Sequence, residues 1–522
     1  MDPKILKREL KRKKILNEKD IVDLQRKIAK KYKIFLPNKI DILTAAKELN
    51  IKTNFKKKPI RSLSGVAIVA VLTKNFPCPG KCIYCPNEKN LPKSYLSGEP
   101  AVERAKKLNF DPYLQIQERI KALEKEGHST DKIELIIIGG TWSALPSSYQ
   151  KEFIKQCFKG ANECDKKSKA EKKSNKSLLE VQKINEKARH RIIGLTLETR
   201  PDYITLKEIE KMRIYGCTRV ELGVQSIEDR ILKINHRGHN VETTIKATKL
   251  LKDAGFKICY HIMPGLLGSN PKLDLKQFKT LFEDERFRPD MLKIYPCVIT
   301  KGSKLYTLFL NGQYRSYTDK TLIKLLVEMK KSIPPYVRLL RLIRDIPSNS
   351  IISGIKISNL REVVQKKMNE KGYKCQCIRC REIKTLPLNF KNIKLVRRDY
   401  DASLGKEVFL SFEDLKQDKL LAFLRLRLPQ NPEYPSSLSK SLNGAALIRE
   451  IHTYGELTPL GKKIGAIQHY SLGKKLIKKA EEIAQQANYK KIAVISGIGV
   501  RDYWRKNGYH LSETYMIKKL KY

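Results

Sequence analysis

Apolar residues recur along this chain in two alternating rhythms. From residue 65 onward, short runs rich in Val, Ile and Leu stand at 66–72, 133–138, 192–197, 219–224, 257–263 and 291–298. Between them, stretches at 112–126, 148–158, 204–215, 241–253 and 273–282 repeat their apolar positions every three or four residues. The first rhythm predicts strands and the second predicts helices. Six such alternations imply a parallel sheet with crossover helices, as a partial barrel or an open α/β sheet, closed by a further run at 337–346. In a barrel of this kind chemistry collects at the C-terminal ends of the strands. On the N-terminal side, Ile21, Leu24 and Ile28 share a helical face and a short helix follows at 41–49, so residues 1–60 read as a small helical module. Beyond residue 393, strand-like runs at 408–412, 420–428 and 445–453 follow one another like hairpins. A helix at 473–487, a strand at 491–496 and a segment at 500–506 complete an α+β domain. Its size, about 130 residues, is ordinary for a domain. Residues 164–177 are almost wholly polar and read as an exposed insert.

Charge adds a partner to this scaffold. Lys and Arg number 106 against 55 Asp and Glu, a net charge of +51. The balanced Lys/Glu networks of heat-stable proteins do not give so one-sided an excess. A polyanion is implied, with nucleic acid as the first candidate. The bias begins early, with 20 basic and 7 acidic residues in the first 61. No apolar run is long enough to span a membrane, and the opening MDPKILKRELKRKKIL lacks a signal core. Eleven cysteines without an export signal argue against a disulfide framework and for the reducing cytoplasm.

Six of those cysteines carry chemistry. In FPCPGKCIYCPN, Cys78, Cys82 and Cys85 follow the first strand with the spacing C-x3-C-x2-C. Three thiolates so close suit a 4Fe-4S cluster with one iron left open. A zinc knuckle normally takes four ligands, and no fourth follows in the loop. Gly139, Gly140 and Thr141 end the second strand, where bare backbone lets a ligand approach. Glu198 and Arg200 end the third strand, able to bind hydroxyls and a carboxylate or to pair with each other. On the fourth strand alternation puts Arg219, Glu221 and Gly223 on one face, with Gln225 at its end. A second cluster, Cys375, Cys377 and Cys380, offers three ligands to a structural zinc with a fourth from elsewhere. Redox thiols and a second iron–sulfur cluster are the other readings.

The C-terminal domain has its own signals. Glu450, Ile451, His452 and Thr453 end a strand-like run, and Gln468–Gly473 opens a helix with Ser471, Leu472 and Gly473. Such a loop turns several N–H groups toward a phosphate. This order of elements resembles the GNAT acetyltransferases, with Ser471 where their loop usually has glycine. Tyr503 is the hydroxyl beside Trp504 where a thioester would lie.

The cysteine loop has the spacing of radical S-adenosylmethionine (SAM) enzymes. Joined to a GNAT domain, it resembles the archaeal form of the catalytic subunits of Elongator. The resemblance runs through SYLSGEPAVERA, GHSTDKIELIIIGGT, LTLETRPDY, CTRVELGVQS, LKIYP, IRDIP, NLRE, LVRRDY, REIHTYG and AVISGIGVRDYWRKNGY. MPGLL replaces the family's MPDLP, so Gly265 stands where an acid is usual. The resemblance implies a radical SAM partial (β/α) barrel over 61–349, a zinc-binding linker over 350–394 and a GNAT domain over 395–522, after a basic tRNA-binding module at 1–60. It implies carboxymethylation at C5 of the wobble uridine in the tRNA anticodon stem-loop, from acetyl-CoA and SAM. Lys132 would meet acetyl-CoA from the barrel, and Glu450–Thr453, Leu472, Gly473, Lys474 and Trp504 from the GNAT side. Lys132 and Tyr503 stand as candidate catalytic residues; Gly139, Gly140, Thr141, Glu198, Arg200 and Gln225 as the SAM site. An electron donor is required and a homodimer is left open. A protein acetyltransferase with a structural cluster is the competing reading, and it would need a general base such as His452 or Glu450.

Overall fold

The structure is a computed structural model describing residues 3–10, 15–53, 65–165, 176–383, 390–430, 439–454 and 471–520. Most of the polar insert at 164–177 and the start of the phosphate-loop motif, Gln468 included, lie outside the described residues. Seven strands build the first sheet: β1 (Ala67–Leu72), β2 (Lys132–Ile138), β3 (Arg191–Thr199), β4 (Arg219–Gln225), β5 (Lys257–Ile262), β6 (Met291–Ile294) and β7 (Arg338–Arg341). They lie side by side in chain order and every neighbouring pair is parallel. β1 and β7 remain as edges, yet Ile68, Ala70 and Leu340 line the same interior cavity, so the sheet curves into a partial barrel.

Alternation explains the two faces. On β2, Ile133, Leu135 and Ile137 are buried beneath the helices Pro112–Lys125 and Ser147–Asn162, whereas Lys132, Glu134, Ile136 and Ile138 line the interior. On β4, Val220, Leu222 and Val224 join the outer core, whereas Arg219, Glu221, Gly223 and Gln225 face inward. The apolar face buries about 1.5–3 kcal/mol per large side chain and fixes the register. The inward face is thereby free to carry charge.

A second seven-stranded sheet comprises β8 (Ile393–Asp401), β9 (Gly405–Asp414), β10 (Lys419–Pro429), β11 (Ala445–Thr453), β12 (Lys491–Val494), β13 (His510–Ser512) and β14 (Tyr515–Lys519). Its order is β8-β9-β10-β11-β12-β14-β13, antiparallel throughout except for β11 beside β12. That parallel pairing covers only Ala445–Ile448, so β11 runs on without β12 from Arg449 to Thr453. The helix Leu472–Gln486 starts beside this split and packs on β10 and β11.

The second sheet closes the N-terminal mouth of the barrel. Arg449 binds Asp290 at 2.9 Å and Phe256 O at 2.7 Å, just before β6 and β5. Arg425 donates to Tyr336 O at 2.7 Å, before β7, and Arg427 to Asp253 at 2.8 Å. The cysteine loop sits at the other mouth, after β1. A separate small core, with Leu10, Leu16, Ile21, Leu24, Ile28 and Ile42, holds the N-terminal helices Glu18–Tyr32 and Lys39–Glu48. Among the described residues no helix is long and apolar enough to cross a membrane.

Candidate active site

One cavity of about 1260 Å³ runs through the barrel and is lined by both sheets. At its upper end stand Cys78, Cys82 and Cys85. Arg237 Nη1 lies 3.6 Å from Cys82 Sγ and Arg237 Nε donates to Gly223 O at 3.0 Å. A hydrogen bond from the Cys85 thiol, then the Arg237 charge, pull the Cys82 thiol down to about 4 against the opposing effect of burial. Three cysteines on one loop, with a guanidinium held against Cys82, fit an iron–sulfur cluster. At Gly80 a Cβ would fall 2.6 Å from Arg200 Nη1 and 3.6 Å from both Cys78 Sγ and Cys82 Sγ, so a side chain there would push the guanidinium away from the cysteines.

Arg200 and Glu198 do not pair with each other. Arg200 grips Asp202 with two bonds, at 2.8 and 2.7 Å, and its buried Nη1 has no hydrogen-bond partner. Glu198 instead meets Lys293 at 3.3 Å and the Tyr95 hydroxyl at 3.4 Å. Gly140 and Thr141 line the cavity. Gly139 is not in the wall; its φ is +136° and a Cβ would lie 2.0 Å from Thr73 Oγ1, so close packing explains it. Gln225 holds a left-handed backbone, φ +72°, with its buried Oε1 unpartnered. Such strain gathers at binding sites. The unbonded Arg200 and Gln225 atoms fit the polar ends of a SAM molecule.

Charges continue down the interior. Arg219 reaches Glu134 at 2.6 Å and Glu221 at 3.5 Å; Glu221 also binds His261 at 2.7 Å and Lys293. Burial alone would raise the Glu221 carboxyl, but Lys293 and His261 hold it well below its ordinary range. Glu221, Cys259 and His261 lie within 4.8 Å of one another, but with two cations already on Glu221 this group is an ion-pair knot.

At the lower end the free edge of β11 presents Glu450, Ile451, His452 and Thr453, and Lys132 at the start of β2 lines the same cavity. Burial lowers the Lys132 ammonium. Glu450 is tied to Arg425 at 2.9 Å, and the His452 ring lies 4.4 Å from that of Tyr454. Leu472, Gly473 and Lys474 begin the helix after Ser471, whose φ is +51°. The Tyr503 hydroxyl lies so close to Gly473 that a Cβ there would come within 3.0 Å, and burial raises that phenol. Trp504 is buried, edge-on to Tyr503 and Tyr509.

Residues 77–276 match the Radical SAM superfamily and 289–370 the Radical_SAM C-terminal domain. The chain is 47% identical over 537 residues to the tRNA uridine(34) acetyltransferase of Methanocaldococcus infernus, covering 99% of this chain and 98% of that one. It is 37% identical over 523 residues to Elongator complex protein 3 of Homo sapiens, covering 96% and 93%. The archaeal Methanocaldococcus infernus Elp3 with N-terminus deletion (1-46) superposes with a TM-score of 0.76 at 46% identity, over 88% of this chain and 100% of that one. The chain belongs to the Elp3 family.

In this Elp3-family chain Cys375, Cys377 and Cys380 also converge, all within 4.8 Å of one another. Hydrogen bonds from Cys375 and Cys380 hold the Cys377 thiol well below its ordinary range. The sequence reading gave no role to Arg237, His261, Lys293 or Tyr95, which the fold brings to the cavity. One signal was available: Lys293 and His261 interrupt strands whose neighbours are apolar, and charge inside a strand asks for a partner.

Proposed function

We propose that this chain carboxymethylates C5 of the wobble uridine of tRNA, drawing on acetyl-CoA and SAM. One observation carries the reading: a single cavity has the three-cysteine loop at one mouth and the open edge of β11 with the Ser471–Lys474 helix start at the other. A 4Fe-4S cluster on Cys78, Cys82 and Cys85 with SAM on its open iron would supply one-electron hydrogen abstraction there, fed by an external electron donor. Arg200 would hold the cofactor's carboxylate, Glu198 its hydroxyls, Gln225 and the backbone of Gly140 its remaining polar groups. Arg237 offsets the negative charge on the cysteine loop.

The C-terminal sheet supports a GNAT reading, with its split parallel pair and a helix N-terminus beside the split. N–H groups of Leu472, Gly473 and Lys474 would bind the coenzyme A pyrophosphate. The free edge of Glu450–Thr453 would hold the pantetheine amides as an added strand would. Lys132 and Tyr503 would flank the thioester, the lysine as a cation whose pKa burial lowers and the phenol as a neutral donor. The Arg425 bond leaves Glu450 poorly placed as a general base, which disfavours a plain protein acetyltransferase. Zinc on Cys375, Cys377 and Cys380 would brace the linker, and the basic residues of 1–60 would hold the tRNA by its phosphates. One chain lines both mouths, so a homodimer is not needed to complete the cavity.

The test is anaerobic incubation of reconstituted protein with SAM, acetyl-CoA, reductant and tRNA, followed by mass spectrometry of the nucleosides. Carboxymethylated uridine from the wild type and none from Cys82→Ala is expected. No product, or equal product from both, overturns the proposal.

A further inference from the structure

The cavity wall formed by β7 and the segment after it carries five arginines: Arg338, Arg341, Arg344, Arg361 and Arg379. Three are neutralised inside the protein. Arg338 binds Glu382 at 2.7 Å, Arg341 pairs with Asp345, and Arg344 reaches Glu99 at 3.3 Å and Ser94 Oγ at 2.7 Å. Arg361 and Arg379 have no carboxylate of their own among the described residues. Among the described residues Arg361 donates to Leu339 O, at 3.1 Å; the like charge of Arg379 acts against it, and the sulfurs of Cys377, Cys380 and Cys375 act in its favour. Glu382, whose field Arg379 feels, is already held by Arg338. Cys377 and Cys380 act in favour of Arg379 as well, but Cys375, Cys377 and Cys380 do not line the cavity. Two half-buried guanidiniums on one cavity wall, with no carboxylate of their own on that side, suit an anionic ligand there.

We propose that Arg361 and Arg379 form a phosphate clamp for the RNA backbone beside the nucleotide that enters the cavity; this rests on the reading of the chain as a tRNA-modifying enzyme. The clamp lies along the gap between the edge strands β1 and β7, where Ile68 of β1 is 44% exposed and the barrel is open. That gap is the lateral way in. Arg344 ties the wall to Ser94, near the cysteine loop, and Arg338 ties it to the Tyr454 hydroxyl, at 2.5 Å, near the β11 edge. A base reaching the space between the two mouths leaves its flanking phosphates along this wall. Planar, forked guanidiniums suit such phosphates. The clamp also gives the second cysteine cluster a task, because Arg379 lies between Cys377 and Cys380 and the braced loop holds it at the wall.

The experiment measures binding of an unmodified tRNA transcript to the full chain across salt concentrations, for the wild type, Arg361→Gln/Arg379→Gln and Arg361→Lys/Arg379→Lys. The glutamine pair is expected to weaken binding at least tenfold near 0.1 M salt, with a salt slope shallower by roughly 1.5. The lysine pair should recover most of both, and acetyl-CoA affinity and melting temperature should stay at wild-type values. If the double variant melts early, the single glutamine variants carry the test, each with about half the slope change. Unchanged tRNA affinity and slope overturn the clamp; so does a fall in acetyl-CoA affinity instead, which assigns the pair to the coenzyme phosphate. A wild type that binds no tRNA sinks the functional reading itself, a separate result.

Discussion

Ser471 sits in left-handed backbone at the start of a helix that the sequence reads as a phosphate loop. An L-residue there costs about 1–2 kcal/mol, which glycine would not. Glycine adds unfolded-state entropy that offsets about 0.4–1 kcal/mol of the gain. Ser471→Gly is therefore expected to raise the melting temperature by a degree or two and to lower the KM for acetyl-CoA a few-fold, checked by thermal melts with and without acetyl-CoA. Lys293 makes the opposite case. It is the cation shared by Glu198 and Glu221, and both carboxylates would lose it in Lys293→Met. Removing one partner of a buried pair costs about 3–5 kcal/mol. The variant should lose that much in urea unfolding, and its remaining folded fraction should bind SAM more weakly as Glu198 loses its anchor. The two residues also differ in legibility. Ser471 stands out as a departure at a fixed spacing. Lys293 makes sense only when β3, β4 and β6 turn their side chains into one interior, which no local pattern states.

At the scale of elements, the strands that could be read were those with one apolar face. All six early runs became strands of the barrel because each buries alternate Val, Ile or Leu beneath helices. The run at 337–346 shortened to Arg338–Arg341, since the arginines after it leave the sheet for the cavity wall. β8 went unread. It is an edge strand with the sequence IKLVRRDYD whose positions are half-buried or exposed and none buried, where charge is useful against edge pairing. β13 and β14 are short and were hidden behind the helical-looking 500–506 segment, of which Arg501–Arg505 is the helix. The linker shows why a small element needs a staple. Ile378 N bonds Val337 O at 2.9 Å and Ile383 N bonds Leu420 O at 2.9 Å, so the three-cysteine turn is stitched to both sheets. Cys377→Ala should lose one bound zinc per chain by elemental analysis and expose the 375–383 turn to limited proteolysis, while iron content stays unchanged. Loss of iron together with zinc would contradict separate clusters.

At the scale of the molecule, the two sheets are joined by charge. Arg425, Arg427 and Arg449 of the second sheet meet Asp253 and Asp290 of the barrel and Glu407 of their own sheet, all buried. Burial raises the Asp290 carboxyl, but Arg449 and then Arg425 pull it well below its ordinary 3.8. A carboxyl whose folded pKa is depressed stabilises the fold at any pH above its unfolded value, and that stability drains away as the pH falls toward the folded one. The joint should therefore hold near neutrality and weaken progressively below about pH 4–5. Arg449→Met isolates this contribution. It leaves Asp290 and Glu407 short of a partner and should cost about 3–5 kcal/mol at pH 7. It should also flatten the loss of stability between pH 5 and 3, because less of the Asp290 shift remains to be titrated. Denaturant unfolding of both proteins across that range decides the matter: parallel curves would mean that packing, and not the Asp290–Arg449 pair, seats the second sheet on the barrel mouth. The consequence reaches the chemistry, since the Glu450–Thr453 edge follows Arg449 directly along β11. An arginine that fixes the sheet to the barrel also fixes how far that edge stands from Lys132, so the variant should lose coupled turnover more steeply than it loses either SAM or acetyl-CoA binding alone.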